Sequence, residues 1–160
     1  MKILGIDPGT ATTGFGVIEK RGSTLTFVDA GVILTPPEQP MPERLSEIYA
    51  GLNEILAEHQ PDCVAVELLY FASNVTTAIT VGQARGVVLL AASEHHVAVA
   101  EYTPLQVKQA ITGYGRANKK QIQEMVKMML GLSGIPKPDD AADGLAIAIT
   151  HANQMVGAAS

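Results

Sequence analysis

The stretch KILGIDPGTATTGFGVIE, residues 2–19, decides how the rest of the chain is read. Lys2–Asp7 is a short apolar run that stops at Pro8-Gly9, and a strand pattern resumes over Thr13–Glu19, which together predict a β-hairpin. Leu25–Leu34 predicts a third strand, after which Pro36, Pro37, Pro40 and Pro42 mark an exposed connector. Arg44–His59 then carries Leu45, Ile48, Leu52, Ile55 and Leu56 at spacings of three and four, the signature of an amphipathic helix. Cys63–Val66 predicts a buried strand ending at Glu67, Asn74–Ser93 a helix and His96–Ala100 another strand; helices follow near 104–112, 118–130 and 139–153. Strands first, then alternating helix and strand, then helices, predict an α/β fold: a mixed sheet of about five strands with helices on both faces.

Composition narrows the classes that remain. The 160 residues, 47% apolar and 17% charged with a mean hydropathy of +0.20, suit one compact domain over 1–160 and exclude a disordered or fibrous chain. Cys63 is the sole cysteine, so a disulfide framework, a CxxC redox pair and a multi-cysteine metal site are all excluded. Asp7 interrupts the N-terminal apolar run far too early for a signal peptide or a membrane span, which predicts a cytoplasmic protein without a membrane partner. The net charge of −5 argues against nucleic acid at first sight, but the charge is unevenly spread. Tyr102–Gln123 holds four of the 11 basic residues, Lys108, Arg116, Lys119 and Lys120, and none of the 16 acidic ones. A local basic edge on an acidic protein follows, with a solvated helix face as the bland alternative.

Three distant stretches carry acids where chemistry would need them. Asp7 ends the first predicted strand and Glu67 the fourth, and ligands of open α/β sheets gather beyond the carboxyl ends of such strands. In PKPDDAADGLAIAITHA, residues 136–152, Asp140 and Asp143 stand three apart and share a helix face, while Asp139 after Pro138 suits the N-cap. Helix capping could account for all three, and a surface strand end for Glu67. Asp143, however, is set among Ala142, Gly144 and Leu145, an odd place for a solvated charge. Four converging carboxylates repel unless hard divalent cations hold them together. Two Mg²⁺ ions roughly 3.5–4 Å apart are a standard arrangement for in-line attack on a phosphodiester.

These residues resemble the RuvC Holliday-junction resolvases of the ribonuclease H-like superfamily. The resemblance runs through GIDPGTATTGFGVIE, VAVELLYF, NVTTAITVGQARGV, YTPLQVKQAITGYGRANKKQIQEMV and DDAADGLAIAITH in order. It implies a ribonuclease H-like fold and a homodimer that makes paired symmetric nicks in four-way junction DNA, leaving 5′-phosphate and 3′-hydroxyl ends. It implies further that Asp7, Glu67, Asp140 and Asp143 bind two Mg²⁺ ions, with Mn²⁺ as a substitute, and that Lys108 and Lys119 handle DNA. Cooperation with the branch-migration proteins RuvA and RuvB is implied as well. Tyr70 or Phe71 matches an aromatic that stacks at the junction centre, although either ring could instead cover the core.

Two other readings compete. The glycine-rich hairpin also suits an ATP-binding domain of the actin and Hsp70 type, whose backbone amides cradle phosphate, but that architecture needs two such domains. A junction-binding module without catalysis would have no use for the acid set. Ala78, Gly82 and Gly86 form a small-residue stripe that fits either a second subunit or packing within the chain. The four histidines show no metal-ligand spacing and are expected to be structural; Met125, Met128 and Met129 are expected in core or subunit contacts, and Cys63 as a small buried residue.

Overall fold

The computed structural model describes residues 1–68 and 74–158. The elements run β1 (Lys2–Asp7), β2 (Thr12–Arg21), β3 (Thr24–Leu34), α1 (Met41–His59), β4 (Cys63–Glu67), α2 (Val75–Glu94), β5 (Ala98–Tyr102), α3 (Pro104–Thr112), α4 (Lys119–Met129) and α5 (Asp139–Ala158). One five-stranded sheet has the order β3-β2-β1-β4-β5. β1, β2 and β3 form an antiparallel meander, and β4 and β5 continue the sheet parallel to β1.

The strands alternate between two apolar faces because helices cover both. Ile3, Ile18 and Ala65 pack with Val107 of α3, Val126 of α4 and Leu145 and Ile149 of α5. Leu4, Ile6, Val17 and Val64 pack on the opposite face with Ile48 and Leu52 of α1 and Val88 of α2. Each of the Val, Leu and Ile side chains, removed fully from water, contributes about 1.5–3 kcal/mol.

α5 runs directly over β1 and β2, buried on every side from Leu145 to Thr150. Glycine makes the approach possible. A Cβ on Gly14 would lie 1.9 Å from the Asp140 carbonyl oxygen, and one on Gly5 would lie 2.1 Å from that of Gly144. Both clashes are with backbone, so any side chain there would lift α5 from the sheet. The space beside Gly5, Gly14 and Gly16 is therefore taken by α5 and is not open to a phosphate, which counts against the nucleotide-cradle reading, while a Cβ on Gly9 would meet only Thr12 of its own turn.

Several expectations shift. β5 begins at Ala98 and not at His96, because His95 caps α2 and His96 turns at φ 58 before the strand starts. α1 starts at Met41, so Pro42 lies in its first turn, where the missing N–H costs nothing, rather than in the connector. Asp139 opens α5 itself and pairs with Lys119 instead of serving as the N-cap. Met125 and Met129 pack against the core, whereas Met128 is 71% exposed; Cys63 is buried as expected.

Candidate active site

β1 and β4 are parallel neighbours with Ile6 opposite Val66, so their ends set Asp7 and Glu67 side by side. α5 brings the other two acids, since the glycine contacts press its first two turns onto β1 and β2. Carboxylate oxygens of Asp7, Asp140 and Asp143 all lie within 4.8 Å of one another, and Glu67 joins by a hydrogen bond to Asp7.

The electrostatics of this cluster are unfavourable without a cation. Burial, then the charge and hydrogen bond of Glu67, then Asp143 and Asp140 push the Asp7 carboxyl up to about 8. Burial and the Asp143 charge also raise Glu67, against the hydrogen bond from Asp7 and the attraction of Lys108. Asp143 is raised by burial and by Asp140 and Asp139, although Lys119 opposes this. A protonated Asp7 that donates to Glu67 relieves part of this repulsion. Hard oxygen donors, crowded and short of positive charge, fit a divalent cation such as Mg²⁺.

Two lysines border the acids. Lys119 Nζ lies 3.6 Å from Asp139 Oδ2 and 3.7 Å from Asp143 Oδ2. Burial works against its ammonium, but Asp143, Asp139 and Asp140 together hold its pKa above the ordinary lysine value. Its position follows from local sequence: Asn118 and Gln121 form a reciprocal capping box, with bonds of 2.8 and 2.9 Å, that fixes where α4 begins. Lys108, on α3, lines the same crevice of about 270 Å³ with Glu67, Asn118, Lys119 and Asp143. Lys120 faces an adjoining groove that shares Asn118 and is also lined by Tyr114 and Gln121, and Arg116 is exposed on the connector between α3 and α4. Two of the four basic residues thus lie in the acid crevice, Lys120 in the groove beside it, and Arg116 on the connector that leads to α4. Tyr70 and Phe71 lie outside the described residues.

Sequence reading missed three contributors. Gly5 and Gly14 set the spacing between α5 and the sheet; the sequence placed both in strands without showing their role, because their partner is about 130 positions away. Asp139 looked like a cap. The Asn118-to-Gln121 spacing was a legible capping signal that places Lys119.

Sheet order and acid cluster together define a ribonuclease H-like α/β protein with a candidate divalent-cation centre at the ends of β1 and β4. The yeast mitochondrial Holliday junction resolvase Ydc2 shares this fold at a TM-score of 0.68 and 14% identity, over 96% of this chain and 80% of its own. A profile of the family described as crossover junction endodeoxyribonuclease RuvC matches residues 3–151, and the chain belongs to that family. The crossover junction endodeoxyribonuclease RuvC of Rubrobacter xylanophilus is 64% identical over 94% of this chain and 84% of its own length. That of Desulfitobacterium hafniense is 61% identical over 97% and 94%. The structure of T. thermophilus RuvC in complex with Holliday junction substrate superposes with a TM-score of 0.93 at 41% identity, covering 99% of this chain and 96% of that one.

Proposed function

We propose that this chain is a Mg²⁺-dependent endonuclease, one nuclease domain over residues 1–160, that resolves four-way DNA junctions as a homodimer by paired symmetric nicks. The observation that carries the reading is the convergence of Asp7, Asp140 and Asp143 within 4.8 Å, with Glu67 hydrogen-bonded to Asp7 and two lysines alongside. Asp7, Glu67, Asp140 and Asp143 would hold the ions. Two Mg²⁺ ions bound there supply Lewis-acid activation of water and stabilisation of the leaving 3′ oxygen. The chain's own work is to hold the carboxylates at fixed spacing on the sheet and to orient the phosphate. Lys119 is suited to that, since its ammonium borders the acids yet is 55% exposed and reachable by DNA. Lys108 backs the crevice, and Arg116 and Lys120 extend the positive border along the duplex. Tyr70 or Phe71 would stack at the junction centre.

The homodimer reading rests on α2. Val75, Ile79 and Leu90 are 66%, 58% and 52% exposed, and among the described residues no atom lies within 4 Å of a Cβ built on Gly82 or Gly86. Gly82 and Gly86 of the small-residue stripe therefore face outward among the described residues. α2 is long and apolar enough to cross a bilayer by length and composition, but its other face packs Ala84 and Val88 into the core and Arg85 pairs with Glu101 of β5. A second copy of the same helix suits a glycine-lined face better than lipid, and a two-fold dimer places two equivalent sites on a two-fold junction. The buried free Cys63 accords with a reducing cytoplasm. Cooperation with RuvA and RuvB belongs to the same reading by family resemblance, and Mn²⁺ is the expected substitute ion.

The test is incubation with a labelled immobile junction and a matching linear duplex, with and without Mg²⁺, and mapping of the products. Symmetric junction-only nicks with 5′-phosphate ends are expected. A stable junction complex without nicks under Mg²⁺ would overturn the catalytic reading.

A further inference from the structure

We infer that Asp29, Glu58 and His59 form a second cation site, suited to Zn²⁺ or a similar borderline transition ion, on the sheet face opposite the acidic crevice. His59 Nε2 lies 2.8 Å from Asp29 Oδ2 and 3.9 Å from Glu58 Oε2, and the three donor atoms are all within 4.8 Å of one another. Donors around a tetrahedral Zn²⁺, each at about 2.0–2.1 Å, stand about 3.3 Å apart, so sub-ångström to ångström side-chain adjustments suffice. Imidazole with two carboxylates is a donor set that prefers Zn²⁺, Co²⁺ or Ni²⁺ to Mg²⁺, which takes oxygen only.

The backbone is arranged to make this meeting happen. Val17 pairs with Asp29 and Ile18 with Phe27, so Val28 is an extra residue in β3. The bulge lets two consecutive residues face the same way: Val28 packs in the α1 and α2 layer, and Asp29 reaches His59 at the end of α1. Bulges re-aim side chains in this manner. Lys2 fixes the helix end by donating to the His59 carbonyl at 3.0 Å. The histidine ring is 10% exposed, while Asp29 and Glu58 are 41% and 72% exposed, so the site is rigid on its nitrogen side and open to entering ions on its oxygen side. A bound ion would staple the end of α1 to β3. The acidic crevice, formed with α5 on the other face, would be untouched. His59 and Asp29 are 30 residues apart, which is why no ligand spacing is visible in the chain.

The inference stands whether or not the crevice cleaves DNA. Its test is calorimetric titration of chelator-stripped protein with Zn²⁺ in the presence of excess Mg²⁺, which occupies the acidic crevice, together with melting curves. One Zn²⁺ per chain is expected, with a Tm that climbs with Zn²⁺ concentration. Glu58→Gln, a surface change that leaves the fold intact, should weaken uptake by at least about tenfold, His59→Gln should abolish it, and Asp143→Asn should leave it unchanged. Absence of Zn²⁺ uptake under Mg²⁺ would reduce the trio to an ion pair and overturn the proposal. Uptake indifferent to Glu58→Gln, or lost with Asp143→Asn, would overturn it equally.

Discussion

Asp7 ends β1 among three other acids, and its carboxyl is pushed up to about 8, against about 3.9 for an aspartate in an unfolded chain. Between those values the metal-free fold binds more protons than the unfolded chain, so the contribution is fully present at low pH and is lost as pH rises through about 8. Metal-free protein should therefore melt at a lower temperature near pH 8 than near pH 6, and Mg²⁺ should raise the Tm more at the higher pH. Melting curves across that window check the sign, and a Tm that climbs with pH would refute a protonated Asp7. Asp7→Asn should flatten this dependence and keep junction binding while cutting the nicking rate by about 10³ or more, about 4 kcal/mol of barrier; gel shifts and single-turnover assays read the two effects. Lys119→Ala should weaken junction binding roughly tenfold and make the salt dependence shallower by about one phosphate contact. At this scale the four carboxylates were legible, because an acid that closes an apolar strand or interrupts an apolar helix conflicts with its surroundings. The pairing of Asp139 with Lys119, and of Asp29 with His59, was not, because each partner comes from another element.

α5 carries two of the four acids, and its distance from the sheet is set by glycines on β1 and β2. Gly14→Ala should cost about 3 kcal/mol or more in urea unfolding, since the new methyl meets the Asp140 carbonyl and no side-chain rotation can relieve it. The same substitution should weaken Mg²⁺ binding measured by calorimetry, through displacement of Asp140 and Asp143. Had the hairpin served as a phosphate cradle, metal affinity would be indifferent to that methyl. Most elements were readable from periodicity within two or three residues, and two of these shifts have local causes: a proline tolerated in the first turn of α1, and the His95-His96 turn that delays β5. The exception is α5, which runs to Ala158, five residues past the expected end. Glycine contacts were illegible because a glycine in a strand looks the same whether it serves a turn, a bulge or a neighbouring backbone.

The molecule as a whole carries a net charge of −5 yet sets Lys108, Lys119 and Lys120 in two adjoining crevices at the acid cluster. Much of its acidity is gathered in the cluster, so cation binding and DNA binding should reinforce one another. The small-residue stripe on α2 could be seen in the sequence, but its outward direction became legible only once the core was filled by Ala84, Val88, Ala91 and Ala92. Ile79→Asp, at a position 58% exposed, should leave the fold intact and shift sedimentation from dimer to monomer. The monomer should also nick the two strands independently, so that singly cut junctions accumulate; an unchanged sedimentation coefficient would place the interface elsewhere.

Asp7 is synthesised well before Asp140 and Asp143, which enter with α5. A ribosome that has released the hairpin and β4 has produced two of the carboxylates and no site. Residue 143 must clear the exit tunnel, and α5 must settle on the glycines, before the cluster can close. Chains stalled before α5 should therefore be harmless to the chromosome, and competence to cut should arrive abruptly with that helix.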